Sequence, residues 1–261
     1  MRKLFMVVAL VSGLHVDANA AVFGRLRVLK ESRHFHPRHI LDLGANRGLW
    51  TKEAQKVWPG ASFFMVEANP AHKPTLASTG VPFAISVLGD EEKNVSMHFG
   101  AMGKADTGNS VFPETRNQEM FTPSIVTMRT LDEVLRTNGQ GNTIFNLLKI
   151  DVQGAELLVL QGARSTLRGV DCVLLELAVI QFNTGAPLWL SVQARMAHLG
   201  FQIYDVLELH YLPTNKMLIQ VDILFANTKS SLWNQTVTAY PRPDKWPLEP
   251  LPVAPRRVLW G

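Results

Sequence analysis

A chain of 261 residues that is 46% hydrophobic and 18% charged has the length for one large domain and a composition that excludes wholesale disorder. Its formal net charge of +4 is scattered, gathering only into short pairs such as Arg256-Arg257, so no dedicated nucleic-acid footprint is visible. The single cysteine, Cys172, lies in an apolar run and excludes an internal disulfide framework and a cysteine-based zinc site.

Arg2-Lys3 precede an apolar run from Leu4 to Leu14, and Ala18-Asn19-Ala20 supplies a small-x-small cleavage pattern. A run of about eleven residues fits a secretory signal peptide over residues 1–20 better than a membrane span, which takes about 20. Entry to the secretory pathway is therefore the expectation. The alternative is an apolar N-terminal helix on a cytoplasmic protein, and the sequons at Asn94 and Asn234 add little to either. Residues 21–37 form a lead-in, with Phe23 to Lys30 expected as a short amphipathic helix over the sheet edge.

A main domain is expected over residues 38–227. Its first strand is Ile40 to Leu43, followed by a glycine turn and a helix that starts after Gly48 and stops at Pro59-Gly60. Ala61 to Glu67 is almost continuously apolar, as a strand covered on both faces requires. Asn69-Pro70 starts a short helix, Val81 to Leu88 gives a third strand, and Val95 to Phe99 a fourth at an edge. Gly100 to Pro123 is polar and too long for a bare connector; with Asn109-Ser110 it is the expected substrate lid. Val126 to Arg129 is a short strand, and Thr130 caps a helix from Leu131 to Arg136. Leu147 to Asp151 is a buried strand, with the helix Ala155 to Gly162 behind it. Cys172 to Leu177, Phe201 to Leu207 and Leu218 to Phe225 complete the strands, and Leu188 to Leu199 is an amphipathic helix. Strands alternating with helices predict a doubly wound α/β sheet, parallel at its centre. Residues 228–261 form a Pro-rich tail, expected to be extended or disordered from Tyr240 onward.

Ligands of such sheets lie beyond the carboxyl ends of the strands. Asp42, Glu67, Asp151 and Glu176 each fall in or at the end of an apolar strand, where a carboxylate is costly to bury unless a polar site uses it. Glu67 stands about twenty residues after the glycine turn, the position from which an acid accepts hydrogen bonds from ribose hydroxyls. Its structural alternative is a cap on the helix after Pro70. Asp42 is either a ligand group or a carboxylate satisfied by the turn's own N–H groups. Gly44 and Gly48 let the backbone bend and approach a ligand closely. A dinucleotide turn needs glycine where Asn46 stands, and no Gly-Lys-Ser/Thr follows, so a nucleoside without phosphates fits better. S-adenosylmethionine is such a ligand. A NAD-dependent oxidoreductase is the alternative from another class, and a non-catalytic binding protein on the same fold is a third.

Five blocks carry a resemblance: Asp42-Leu43-Gly44-Ala45-Asn46-Arg47-Gly48, Val66-Glu67-Ala68-Asn69-Pro70, Arg129-Thr130-Leu131-Asp132, Leu148-Lys149-Ile150-Asp151-Val152-Gln153-Gly154-Ala155-Glu156, and Leu175-Glu176. In order and spacing they resemble the FkbM family of S-adenosylmethionine-dependent methyltransferases. The resemblance implies a class I, Rossmann-like doubly wound sheet of seven main strands, the last antiparallel. It implies methyl transfer to a hydroxyl of a sugar, glycan or small metabolite. It also implies that Asp42, Gly44, Ala45, Asn46 and Gly48 line the methionine end of the cofactor site and that Glu67 holds ribose. Ala68 and Ser86 join the cofactor-contacting set, and Asp151 borders the site.

Asp151 is the first candidate for base or substrate orienter, and Glu176 the second catalytic candidate, with a structural pairing to Lys149 as its alternative. Glu156 reads as a complement to a helix dipole. His210 can serve as a base near the sheet's far edge, whereas His34, His36 and His39 read as surface groups. An Asp/Glu rim can bind Mg2+, but no spacing demands a metal. This chain has Gln153 where the family commonly has Glu, and the stretch Ser86 to Lys93 is longer than usual. No Asn-Pro-Pro-Tyr block follows Ile150, which argues against a base or amide nitrogen as acceptor; with the scattered charge and the short N-terminal run, neither nucleic acid nor a stable membrane span is expected.

Overall fold

Ile40, Leu41 and Leu43 are completely buried, and so is Asp42 between them, because the first strand has partners on both edges and helices on both faces. The computed structural model describes residues 15–101, 107–115 and 118–234. The apolar run Leu4–Leu14 and the tail from Tyr240 lie outside the described residues. Among the described residues no helix is long and apolar enough to cross a membrane.

The strands of the main sheet are β1 (His39–Leu43), β2 (Ser62–Glu67), β3 (Phe83–Ile85), β7 (Leu147–Ile150), β8 (Cys172–Ala178), β9 (Phe201–Tyr211) and β10 (Leu218–Asn227), in the order β3-β2-β1-β7-β8-β10-β9. β3, β2, β1, β7 and β8 run parallel, and β10 is antiparallel to both of its neighbours. This is the seven-stranded class I sheet with its last strand reversed. A second sheet holds β4 (Val87–Gly89), β5 (Lys93–Gly100) and β6 (Phe121–Thr130) in the order β4-β6-β5.

Helices α1 (His15–Arg33) and α2 (Leu49–Val57) cover one face of the main sheet, where Val22, Phe23, Leu26 and Leu29 pack with Trp50, Ala54 and Val57 over Ile40, Met65, Leu147 and Leu174. The short α3 (Lys73–Ala77) follows β2. The other face carries α4 (Leu131–Thr137), α5 (Glu156–Gln161) and α6 (Trp189–His198), whose apolar positions close over Leu41, Leu43, Leu148, Ile150 and Val173. Successive strand residues point to opposite faces. Asp42, Glu67, Lys149, Asp151, Glu176 and Asp222 therefore share the face of α1 and α2, and all but Asp42 and Lys149 reach the carboxyl rim.

Four expectations change. The helix expected over Phe23–Lys30 runs from His15 to Arg33 and lies across the sheet face, against α2 and β9, rather than over an edge alone. No breaker interrupts it until His34, which takes a positive φ of 52°. The strand expected from Val81 to Leu88 divides at Ser86. Its N–H donates to Glu67 O at 2.8 Å, the last bond to β2, and the next residue, Val87, pairs with Met128 of β6. β2 ends there, so the chain must find another partner. Val95–Phe99 is an edge as expected, but of the second sheet.

The short strand expected at Val126–Arg129 is the ten-residue β6, which takes in Pro123 from the expected lid. Proline is tolerated there because β4 pairs only with Met128–Thr130, leaving Pro123 with a single neighbour, His98 of β5. At the start of α4 Thr130 Oγ1 accepts from Glu133 N–H at 3.2 Å, the cap the sequence called for.

Candidate active site

The turn after β1 is built on close backbone contact. Gly44 has φ +76°, and its N–H and that of Ala45 both donate to Val66 O, at 2.9 and 3.1 Å. Asn46 also takes a positive φ, 50°, which turns its own N–H onto Glu67 Oε2 at 2.7 Å. Glu67 Oε1 accepts from Asn69 N–H at 2.7 Å, while Asn69 caps the following turn through its own side chain. Glu67 is thus a nearly buried carboxylate held by two backbone donors. Burial pushes its carboxyl upward, partly offset by the Asn69 and Asn46 N–H groups and by the charge of Lys149.

A cavity opens at this rim. Its floor is Gly44, Ala45, Asn46 and Trp50, one wall is Glu67, Ala68 and Ser86, and Lys149, Asp151 and Gln153 form another. Val87, Leu88 and Met97 of the second sheet roof it with apolar surface, and Thr107, Asn109 and Val111 close one side. The segment expected as a lid is pinned at its tip, where Ser110 bridges His98 and its hydroxyl donates to Gln153 O at 2.7 Å.

Of the expected cofactor residues, Gly44, Ala45, Asn46, Glu67, Ala68, Ser86 and Asp151 line this cavity. Asp42 and Gly48 do not. Asp42 has no exposed surface; Thr51 Oγ1 donates to its Oδ2 at 2.7 Å and Lys149 Nζ stands 3.1 Å from its Oδ1. A hydroxyl from α2 and an ammonium from β7, rather than the turn's N–H groups, face this carboxylate. Gly48 has φ +75° and packs near Thr79, Leu76 and Met65, beneath the turn. Glu176 faces an adjoining small pocket with Gln181, Asn183 and Gln220, separated from the main cavity by Gln153.

Lys149 is the group the sequence reading misplaced. It pairs not with Glu176 but with Asp42 and with Asp151, at 3.1 and 3.4 Å, and its ammonium donates to Gly44 O at 2.9 Å. Burial alone would depress its pKa, but the carboxylates of Asp42 and Asp151 outweigh it and raise the value. β1 and β7 pair Asp42 with Lys149 directly, and this neighbour relation is not written in either strand's own sequence. Gln153, held at φ 53°, donates from Nε2 to Asp151 Oδ1 at 2.8 Å and to Glu176 Oε2 at 3.4 Å. A neutral amide joins two acids that stand side by side in register; a third carboxylate there would repel both. Glu176 is pushed well up by burial and by Asp151 and Asp222.

Glu156 does more than complement a dipole. Its Oε1 accepts from Val152 and Gly154 N–H, at 3.3 and 3.1 Å, fixing the loop that carries Gln153. Burial lifts its carboxyl to about 7 against the usual 4.5, over the opposing effect of those donors. The folded state therefore holds a proton the unfolded chain has released. The associated stability is full below pH 4.5 and lost as pH rises through 7. Glu156→Gln keeps the accepting oxygen without the charge. Its melting temperature should match the parent's at pH 4 and exceed it at pH 8, by the equivalent of up to roughly 3 kcal/mol. An equal gap at both pH values would contradict this.

The donor set suits S-adenosylmethionine. Glu67 is acceptor-only and nearly buried, as ribose hydroxyls require, and the slot of Val87, Leu88 and Met97 offers apolar surface for a flat base. Lys149, a buried cation just below the rim, is committed to Asp42, Asp151 and a carbonyl rather than to a phosphate.

The methyltransferase FkbM domain family matches residues 42–203. Among solved structures, precorrin-6y C5,15-methyltransferase from Geobacter metallireducens GS-15 aligns at 12% identity over 77% of this chain and 86% of that one, with a TM-score of 0.42. The N-terminal domain of EvdMO1 with SAH bound aligns at 14% identity over 79% and 81%, with a TM-score of 0.42. A TehB-like SAM-dependent methyltransferase from Corynebacterium glutamicum ATCC 13032 Kitasato aligns at 9% identity over 77% and 86%, with a TM-score of 0.41. No curated protein matches significantly. The seven-stranded sheet and the family match over more than half of the length set aside the oxidoreductase and binding-protein alternatives: the chain belongs to the FkbM family of S-adenosylmethionine-dependent methyltransferases.

Proposed function

We propose that this methyltransferase acts on a hydroxyl of a sugar, glycan or small metabolite, with Asp151 taking or orienting the acceptor's proton. The observation that carries this reading is the setting of Asp151. It follows the last residue of β7, lines the cofactor cavity, and is held between Lys149 Nζ and the Gln153 amide. Bound S-adenosylmethionine supplies a methyl group on a sulfonium. The chain's task is then alignment of an oxygen nucleophile and removal of its proton. Beyond Gln153 the amides of Gln181, Asn183 and Gln220 both donate and accept, as hydroxyl partners do.

The test is incubation with S-adenosylmethionine carrying a labelled methyl group against glycans, lipids and RNA. Label on a glycan or other hydroxyl supports the reading, whereas label confined to RNA bases overturns it. Asp151→Asn should leave cofactor affinity within about threefold and slow transfer by roughly 100- to 10,000-fold. Normal turnover in that variant would remove Asp151 from the chemistry.

A further inference from the structure

At the outer end of the rim, β9 and β10 bring together three groups that methyl transfer does not use. Asp222 is the register partner of Glu208, and His210, two residues along β9, lies on the same face as Glu208. One ligand atom from each of Glu208, His210 and Asp222 falls within 4.8 Å of the other two, and the group is half-buried. His210 Nε2 stands 2.9 Å from Asp222 Oδ2. Glu208 forms no ion pair with His210, and its Oε2 is buried without a hydrogen-bond partner. A buried carboxylate oxygen with no donor calls for an occupant.

We propose that Glu208, His210 and Asp222 form a binding site for a divalent cation of the manganese-to-zinc series. Ligands on an ion at about 2.1 Å lie about 3.0 Å apart when adjacent and about 4.2 Å apart when opposite. The His210–Asp222 separation fits the first spacing, and the Glu208 ligand atom, within 4.8 Å of both, is compatible with either. One imidazole nitrogen with two carboxylate oxygens suits Mn2+, Co2+ or Zn2+, whereas Mg2+ and Ca2+ favour oxygen alone. Three protein ligands leave positions open for water or an acceptor oxygen. The site is distinct from Asp151: Asp222 pairs with Glu176, and β8 with β7, so two strand spacings, about 10 Å, intervene.

The full chain, stripped of metal, is titrated with Co2+ followed by visible absorption and with Mn2+ followed by electron paramagnetic resonance. One equivalent should bind, Mg2+ at equal concentration should not displace it, and Mn2+ should raise the melting temperature. His210→Ala and the near-isosteric Glu208→Gln should each weaken binding at least tenfold. Glu208→Gln changes no volume, so it decides the matter if His210→Ala does not fold. Absence of binding to the parent protein, equal displacement by Mg2+, or unchanged affinity in folded Glu208→Gln would each overturn the site. These readouts are independent of methyl transfer, so they stand whatever the acceptor proves to be.

Discussion

Gly44→Ala should abolish S-adenosylhomocysteine binding in calorimetry and lower the stability of the whole domain. A Cβ at this position would sit 1.8 Å from the carbonyl oxygen of Asp151. That carbonyl cannot retreat cheaply, because Asp151 N–H donates to Leu43 O at 3.0 Å and Leu43 and Ile150 are register partners of β1 and β7. The φ of +76° adds left-handed strain for any L side chain. Strain of about 1–2 kcal/mol and a clash of about 1–3 kcal/mol together amount to several kcal/mol, concentrated in the turn that lines the cavity. Gly24→Ala is the control. Nothing lies within 4 Å of its added methyl, and in a helix it should be neutral or stabilising by up to about 1 kcal/mol. Unchanged affinity in Gly44→Ala would mean that the turn is not the cofactor's seat.

The second large effect is expected from Lys149→Met. Asp42 is fully buried and would keep only the Thr51 hydroxyl, while Gly44 O would lose its ammonium donor. Removing one partner of a buried ion pair costs about 3–5 kcal/mol, because the remaining charge is stranded. Urea unfolding should show a loss of that order. Adding Asp42→Asn to Lys149→Met should recover much of it, since the stranded charge is gone, and the double-mutant cycle should report strong coupling. Additive losses would mean that Lys149 works mainly through Asp151.

The sequence disclosed what is local. Runs such as Ser62–Glu67, the Asn69 cap, the Thr130 cap and the acids at strand ends could be read residue by residue. Each depends on neighbours within about four positions or on burial of the entire run. The expectation of seven strands with the last antiparallel came from the family resemblance, which carries topology that no single strand encodes, whereas the ribose role expected of Glu67 rested first on its spacing from the glycine turn. What escaped was non-local. The pairing of Asp42 with Lys149 depends on β7 lying beside β1, the division at Ser86 on where β2 ends, and the length of β6 on a partner almost thirty residues earlier. Asp42 reads as a ligand group when judged by its motif alone. Only the arrival of Lys149 from 107 residues later shows what it neutralises.

The division at Ser86 reaches beyond the fold. The wall at Glu67 belongs to the deep, parallel layer, whereas Val87, Leu88 and Met97 belong to the three-stranded sheet, which the chain enters at Ser86 and leaves at Thr130. Replacements in the roof can reshape what enters from above without touching the pairings that keep the floor in place. Drift in that small module therefore tunes how the base of the methyl donor is held, while the deep layer that pairs Asp42 with Lys149 is inherited intact.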